Sequence, residues 1–173
     1  MRKLLSLSFA LLFSLQVAQA QYVSTVVEAT PTIDTNAYGT GDLLGTKMEL
    51  VGSGFEGRGR GIIESVEIID LAKNTVDVDV VIFDANPSGT TFTNNAAFDI
   101  ADADLPNVVC VIPVTSHFDF NDNGISIAKN VGCPFRLAQG STSLYAALVI
   151  RATATYATAA DISLRVGIRQ EIP

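Results

Sequence analysis

The stretch Thr75–Asp84, with the sequence Thr-Val-Asp-Val-Asp-Val-Val-Ile-Phe-Asp, decides the fold class because apolar and charged residues alternate in it with a period of two. Successive side chains of a β-strand point to opposite faces. One face of this stretch is apolar and consists of Val76, Val78, Val80 and Ile82. The opposite face begins with Asp77 and Asp79, as in an antiparallel strand with one side in water. Because this face becomes apolar at Val81 and Phe83, we expect another part of the chain to cover its far end.

Strand patterns recur along the rest of the chain, and no convincing helix of three turns is found. The further strand candidates are Tyr22–Ala29, Lys47–Val51, Ile62–Leu71, Asn107–Val114, Gly124–Lys129, Leu144–Ala154 and Ile162–Arg169. The stretch Leu144–Ala154 is apolar on parts of both faces, which predicts a central strand. The residues Ala72–Asn74 separate two strong strand candidates and predict a hairpin turn.

Two long polar connections, Thr30–Thr46 and Ala85–Pro106, interrupt the strand candidates. Short strands joined by turns and a few long crossings are typical of an antiparallel sandwich. The sequence therefore predicts an all-β fold, a single antiparallel β-sandwich of about eight strands, with a jelly roll favoured over an immunoglobulin-like arrangement. Because loops usually hold the specificity of a rigid sandwich, any ligand is expected at these two connections.

Residues 1–20 have the organisation of a signal peptide. Met1–Lys3 forms a short positive region, Leu4–Val17 is apolar, and Ala18–Ala20 provides the small residues that precede a cleavage site. The apolar run is shorter than the roughly 20 residues of a membrane-spanning helix, which disfavours an uncleaved anchor. We therefore expect export of a domain, residues 21–173, that has no transmembrane segment and resides in the periplasm, at the cell surface or outside the cell.

The charge balance excludes some classes of partner. The 173 residues carry a formal charge of -7, and removal of Arg2 and Lys3 makes the remaining domain more acidic. Nucleic acid and anionic membranes attract basic surfaces, so we expect neither of them as a partner. The chain has 1 histidine and 2 cysteines, which are too few for a histidine-rich zinc site or a cysteine cluster.

Export also changes how the two cysteines are interpreted. An oxidising compartment favours a disulfide, so the sequence predicts a bridge between Cys110 and Cys133. The bridge would close a loop of about 22 residues and stabilise the fold by about 3 kcal/mol in the loop-entropy model. The alternative is a pair of buried free thiols, which the apolar neighbours Val108, Val109 and Val111 leave open.

The stretch Asp119–Gly124 matches the first half of a calcium-binding loop. Asp119, Asn121 and Asn123 place oxygen ligands at the first, third and fifth positions, and a glycine follows at the sixth. The twelfth position is Asn130 rather than glutamate, and no helices flank the stretch, so the match is partial. Calcium is the one cofactor that the sequence suggests, and an ordinary Asn-Gly turn is the alternative.

Catalytic patterns are weak in this chain. His117 lies beside Ser116 and two residues before Asp119, but a serine–histidine–acid triad depends on spatial geometry rather than on proximity in sequence. The chain has no Gly-x-Ser-x-Gly turn. Gly52–Gly57 matches the dinucleotide-binding pattern formally, yet the strand-like Ile62–Val66 follows it in place of a helix. We therefore expect no enzymatic activity and no catalytic residues.

Three stretches carry a resemblance to known proteins: Thr35–Gly45, Val80–Phe98 and Ser143–Val149. They look like a family of small structural proteins of tailed bacteriophages, and the similarity covers most of residues 21–173. The resemblance implies a β-sandwich component of a virion without enzymatic activity, and it brings no catalytic residue with it. The signal peptide and the disulfide depart from this family's pattern, because phage structural proteins normally assemble in the cytoplasm.

Two functions from different classes follow from these observations. In the first, the protein is an exported, non-enzymatic structural or assembly subunit, either of a phage-like virion or of a surface structure or filament. Such a subunit associates with copies of itself or with other structural proteins. The stretch Gln21–Thr46, with the apolar Val23, Val26 and Val27, is the candidate strand that one subunit donates to its neighbour. In the second, the protein is a secreted binding module that recognises a carbohydrate, calcium or a surface receptor through its long loops.

Overall fold

The computed structural model describes residues 21–54 and 59–172, so the signal peptide predicted for residues 1–20 lies outside the described residues. The described part of the chain forms nine β-strands and one 3-10 turn, Leu105–Asn107. The strands are β1 (Gln21–Ala29), β2 (Met48–Leu50), β3 (Arg60–Asp70), β4 (Val78–Phe83), β5 (Val108–Val114), β6 (His117–Asp119), β7 (Gly124–Arg136), β8 (Leu144–Ile150) and β9 (Ile162–Ile172). In these two ranges no helix is long and apolar enough to cross a membrane.

The strands form two antiparallel sheets whose order is that of a jelly roll. A five-stranded sheet has the order β1-β9-β3-β7-β6, and a four-stranded sheet has the order β2-β8-β4-β5. Apart from the short β6, the strands pair as β1 with β9, β2 with β8, β3 with β7 and β4 with β5. These nested pairs are the arms of one long hairpin that wraps into a sandwich. The predicted all-β antiparallel sandwich is confirmed, and the nested order is that of a jelly roll rather than of an immunoglobulin domain.

The alternation that predicted the strands also places the core between the two sheets. In β4 the inward residues Val78, Val80 and Ile82 are buried, and β9 buries every second residue: Ile162, Leu164, Val166 and Ile168. All of them belong to one apolar cluster. Full burial of a Val, Leu or Ile side chain stabilises a fold by about 1.5–3 kcal/mol, so these facing rows contribute substantially to stability.

A second apolar cluster lies on the outer face of the four-stranded sheet. The far end of β4 contributes Val81 and Phe83, both buried, and the long connection 84–107 covers them. In that connection Phe92 packs edge-on against Phe83 with ring centroids 6.3 Å apart, and Phe98 lies 5.5 Å from Phe92. The expected cover over β4 is therefore confirmed. The same arrangement confirms the central position of β8, which lies between β2 and β4 and is buried on both faces.

The connection between β3 and β4 shows that the predicted hairpin turn at Ala72–Asn74 is wrong. These two strands lie in different sheets, so the chain crosses the sandwich between them. The buried carboxylate of Asp70 accepts hydrogen bonds from the backbone N–H groups of Ala72 (2.9 Å) and Thr75 (2.8 Å) and so fixes the crossing. A short polar link between two apolar strands has the same appearance in sequence whether it joins paired strands or changes sheet.

Strand β7 is longer than the predicted Gly124–Lys129 because a bulge interrupts its alternation. Ile63 of β3 pairs with Cys133, and Ser65 pairs with Lys129, so the residues between the two pairs are out of register. Asn130 and Gly132 adopt the left-handed conformation there, with φ of 56° and 64°. A bulge changes the side-chain period locally, which hides the second half of a strand from a pattern search.

Cys110 and Cys133 are joined by a disulfide, with their Cα atoms 6.6 Å apart. Cys110 lies on β5 of the four-stranded sheet, and Cys133 lies on β7 of the five-stranded sheet. The predicted bridge is therefore present, and it connects the two layers of the sandwich covalently.

Candidate interaction surfaces

The single histidine lies in a hydrogen-bonded array that its sequence neighbours do not form. His117 of β6 places Nδ1 at 2.7 Å from the hydroxyl of Ser126 and Nε2 at 2.9 Å from a carboxylate oxygen of Asp77. Neither Ser116 nor Asp119 takes these places. The pairing of β6 with β7 brings Ser126 opposite His117, and Asp77 comes from the segment that leads into β4. No local signal in the sequence links three residues so far apart.

The array connects two elements rather than exposing a nucleophile. Ser126 is 2% exposed and points into the sandwich, so its hydroxyl is closed to a substrate in solution. The side chain of Asp77 is half exposed, and its contact with His117 bridges the five-stranded sheet to the start of β4. Nucleophilic catalysis requires an accessible hydroxyl next to the reacting carbonyl. This geometry instead attaches the short edge strand β6 to the sandwich.

The three residues predicted to bind calcium lie at the tip of the β6–β7 hairpin. Asp119 ends β6, and Asn121 and Asn123 belong to the turn, in which the N–H of Phe120 donates to the carbonyl of Asn123 at 2.8 Å. The ammonium group of Lys73 donates to the carbonyl of Asn121 at 3.1 Å. Within residues 21–54 and 59–172, no three His, Cys, Asp or Glu side chains are grouped to hold a metal. Calcium binding by Asp119, Asn121 and Asn123 stays a prediction.

Two acidic residues of the long connection after β4 have different environments, since Asp104 is buried and Asp99 lines a surface depression. Asp104 is 5% exposed, and its carboxylate accepts hydrogen bonds from the N–H and the hydroxyl of Thr90 at 2.6 and 2.8 Å. This pair fixes the fold of the connection. The outward side of the same connection has a shallow depression of about 360 Å³, whose lining includes Thr91, Thr93 and Asp99. Its threonine hydroxyls and its carboxylate are groups that form hydrogen bonds with polar ligands.

The outer face of the five-stranded sheet has ion pairs at its centre. Arg165 of β9 contacts Glu28 of β1 at 2.7 Å and Glu67 of β3 at 3.2 Å, and the negative charge of Glu28 raises the pKa of the arginine. These residues line a shallow depression of about 390 Å³, to which Gly167 and Ser65 also contribute. Because the guanidinium is already paired on both sides, Arg165 has little free charge to offer a charged ligand.

Strand β1 forms a long free edge of the same sheet. It pairs with β9 over all nine residues without a register shift, and no described strand pairs with its other side. Tyr22, Val23 and Val26 are 54%, 42% and 62% exposed. The strand has one charged residue, Glu28, and it has no lysine, proline or bulge, which are the features that usually block pairing of an edge with another chain.

The opposite side of the sheet is protected along most of its length. Beyond the three residues of β6, the edge of β7 presents Lys129, the bulge around Asn130 and Gly132, and Pro134, which has no N–H. Charge, bulge and proline are the usual devices against edge-to-edge association. The two edges of one sheet therefore differ, and β1 is the edge that is open to a partner strand.

A compact apolar patch lies at the β6 end of the five-stranded sheet. Register places Phe118, Ile125 and Ile69 side by side on the outer face of β6, β7 and β3. Phe120 lies two residues after Phe118, and Leu71 lies two residues after Ile69. The segments that follow them are joined by the hydrogen bond from Lys73 to the carbonyl of Asn121. Leu71, Phe118 and Phe120 are 55%, 56% and 54% exposed. We call these five apolar residues the apolar corner.

Comparison with known proteins gives no family. No protein-family model matches the chain, and no curated protein matches its sequence. One similar solved structure is described as "Israeli acute paralysis virus heated to 63 degree - full particle", with 10% sequence identity over 99% of this chain and 81% of that chain. Its TM-score of 0.23 is too low to establish a common fold. The resemblance to phage structural proteins therefore stays a prediction from the sequence.

Proposed function

We propose that the protein is an exported, non-enzymatic structural subunit that associates with further copies of itself through the free edge of β1. The observation that carries this proposal is the nine-residue edge with exposed Tyr22, Val23 and Val26 and no blocking feature. An edge strand presents a row of N–H and C=O groups, and pairing with a second edge satisfies them while covering the apolar side chains. In this form of assembly β1 keeps its pairing with β9 of its own chain.

Two observations support the exported and non-enzymatic parts of the proposal. The disulfide between Cys110 and Cys133 agrees with an oxidising compartment, in line with the signal peptide predicted for residues 1–20. The array around His117 contains a serine that is inaccessible to substrate. The periplasm, the cell surface and the exterior all meet the redox requirement.

The test is the mass of purified residues 21–173 as a function of concentration, measured by size-exclusion chromatography with light scattering. The wild-type domain is expected to associate, and Val26→Lys is expected to weaken association because a lysine on the edge repels a second edge and keeps its charge in water. Val111→Lys is the matched control, since Val111 is 53% exposed on β5 of the other sheet. A wild-type domain that stays monomeric up to millimolar concentration contradicts the proposal.

A secreted binding module is the second candidate, and the depression on the connection after β4 favours it. Threonine hydroxyls and a carboxylate at Thr91, Thr93 and Asp99 suit a polar ligand such as a carbohydrate. Calorimetric titrations with calcium and with simple sugars test this function. Calcium binding that disappears in Asp119→Ala but persists in Asp99→Ala would locate a cation at the β6–β7 tip, and no heat with any of these ligands would count against the module.

A further inference from the structure

The exposed apolar side chains of the chain concentrate at two places on one sheet. Among the described residues, the large apolar side chains on the surface are Tyr22, Val23, Val26, Val51, Leu71, Leu105, Val111, Phe118 and Phe120. Three of them lie on β1, and three belong to the apolar corner near the opposite edge of the same five-stranded sheet. Scattered single apolar residues are normal on a protein surface, whereas several of them grouped at one end of a sheet mark an interaction site.

The apolar corner differs from the free edge of β1 in what it offers a partner. β6 is only three residues long, and the protected edge of β7 continues from it, so a partner strand has little backbone to pair with. The apolar corner instead offers side chains, including the half-exposed rings of Phe118 and Phe120. Aromatic residues in a central position are the usual anchors of protein–protein contacts. The surface thus suits packing of side chains rather than extension of the sheet.

Charges of both signs surround the apolar corner. Lys73 lies on the β3–β4 crossing, and its ammonium contacts the carbonyl of Asn121 in the β6–β7 turn. Asp119 and Asp122 lie at the same turn, and both are exposed. A two-fold contact brings each patch against an identical one, so it needs a patch that complements itself. Lys73 and Asp122 lie at the same end of the apolar corner, since both contact Asn121. A two-fold axis that passes between them places each lysine opposite the aspartate of the other copy.

We propose that the apolar corner binds the apolar corner of a second copy of this chain through a two-fold contact, with Lys73 of each copy facing Asp122 of the other. The inference rests on the proposed self-association and adds a second contact surface to it. The free edge of β1 and the apolar corner lie toward opposite sides of one sheet. Two different self-complementary contacts on one subunit join copies alternately, so that assembly continues beyond a dimer.

The test separates the two contacts by mutation. Wild-type residues 21–173 are expected to form species larger than a dimer, and Val26→Lys is expected to leave a dimer that forms through the apolar corner. Phe120→Ser is expected to leave a dimer that forms through β1, and the combined variant is expected to be a monomer. Leu105→Ser is the matched control, because Leu105 is 56% exposed elsewhere on the surface and its replacement should leave assembly unchanged.

A charge exchange tests the pairing within the apolar corner. In the Val26→Lys background, Lys73→Asp or Asp122→Lys alone is expected to weaken the remaining dimer about tenfold, because like charges then face each other. The combined exchange Lys73→Asp with Asp122→Lys is expected to restore the dimer. Thermal melts by circular dichroism confirm that each variant folds, and these substitutions lie on exposed side chains.

Three results would overturn the inference and would be distinguishable from failure of the proposed function. A monomeric Val26→Lys variant beside an associating wild type would show that β1 acts alone. Monomeric Val26→Lys and Phe120→Ser variants that form a dimer only when mixed would mean that β1 of one copy docks on the apolar corner of the next. Failure of the double charge exchange to restore the dimer would reject the Lys73–Asp122 pairing. A monomeric wild type would reject both proposals together.

Discussion

Replacement of the bridged cysteines, Cys110→Ala together with Cys133→Ala, is expected to lower the free energy of unfolding by about 3 kcal/mol. The bridge connects β5 of one sheet to β7 of the other across 23 positions of sequence. In the folded domain the two sheets are already held together by the core, so the bridge adds little order there. Its main effect falls on the unfolded chain, which loses conformations when the loop is closed.

The size of the effect follows from the loop that the bridge closes. For a separation of 23 residues, the chain-entropy relation gives a loss of about 11 cal/mol/K, which corresponds to about 3.4 kcal/mol at 25 °C. In a domain of this size, each kcal/mol shifts the melting temperature by about 2–4 °C, so the expected decrease is about 7–13 °C. The slope of the free energy against urea should increase, because the open chain exposes more surface on unfolding.

The assay is urea denaturation of residues 21–173, with and without dithiothreitol. The reduced wild-type domain should match the double alanine variant, and the reductant should leave that variant unchanged, which makes it the control. A loss of stability below about 1 kcal/mol, or a wild-type domain that is insensitive to full reduction, would refute the reasoning that the bridge acts by restricting the unfolded chain.

Three further predictions concern single side chains. Phe83→Ala removes a fully buried ring and should cost about 3–5 kcal/mol in urea denaturation while it speeds proteolysis of the connection after β4, and unchanged proteolysis would argue against that cover. Asp161→Ala should lower the free energy of unfolding by about 1–3 kcal/mol near pH 7, because hydrogen bonds from Thr158 and Ala157 hold the pKa of Asp161 below its ordinary 3.8. This loss should shrink as the pH falls through the lowered pKa. A difference in stability that does not depend on pH would contradict the prediction. Burial raises the pKa of Asp84 above 3.8, so the wild type should lose stability relative to Asp84→Asn as pH rises above 3.8, and a constant gap in melting temperature between pH 4 and 7 would exclude this effect.

The period of two along the chain was sufficient to predict the all-β class, the inward rows and the cover over Phe83. These features depend on local alternation and on burial of apolar residues, which each stretch carries in its own sequence. The short β6 and the second half of β7 were not predictable in the same way. The strand His117–Asp119 is too short to show a period, and the bulge at Asn130 and Gly132 breaks the alternation.

The candidate surfaces could not be found from the sequence alone, because they depend on the order of the strands in the two sheets. His117 meets Ser126 and Asp77 because strands from both sheets approach one another there, and no spacing in the sequence encodes that approach. The free edge of β1 is similarly a property of strand order. Tyr22–Ala29 was predicted as a strand, but its position at the edge follows from its pairing with β9, at the other end of the chain.

The nested pairing also sets the order in which the fold can close. Among the nested pairs, which leave out the short β6, β4 and β5 are the nearest in sequence, and the outermost pair places Gln21 opposite Ile172. A ribosome makes β1 before β9, so β1 has no hydrogen-bonding strand of its own chain until Ile162–Ile172 has been synthesised. Because closing a longer loop costs more entropy, the sandwich is expected to form from the middle of the sequence outward and to complete its most exposed edge last.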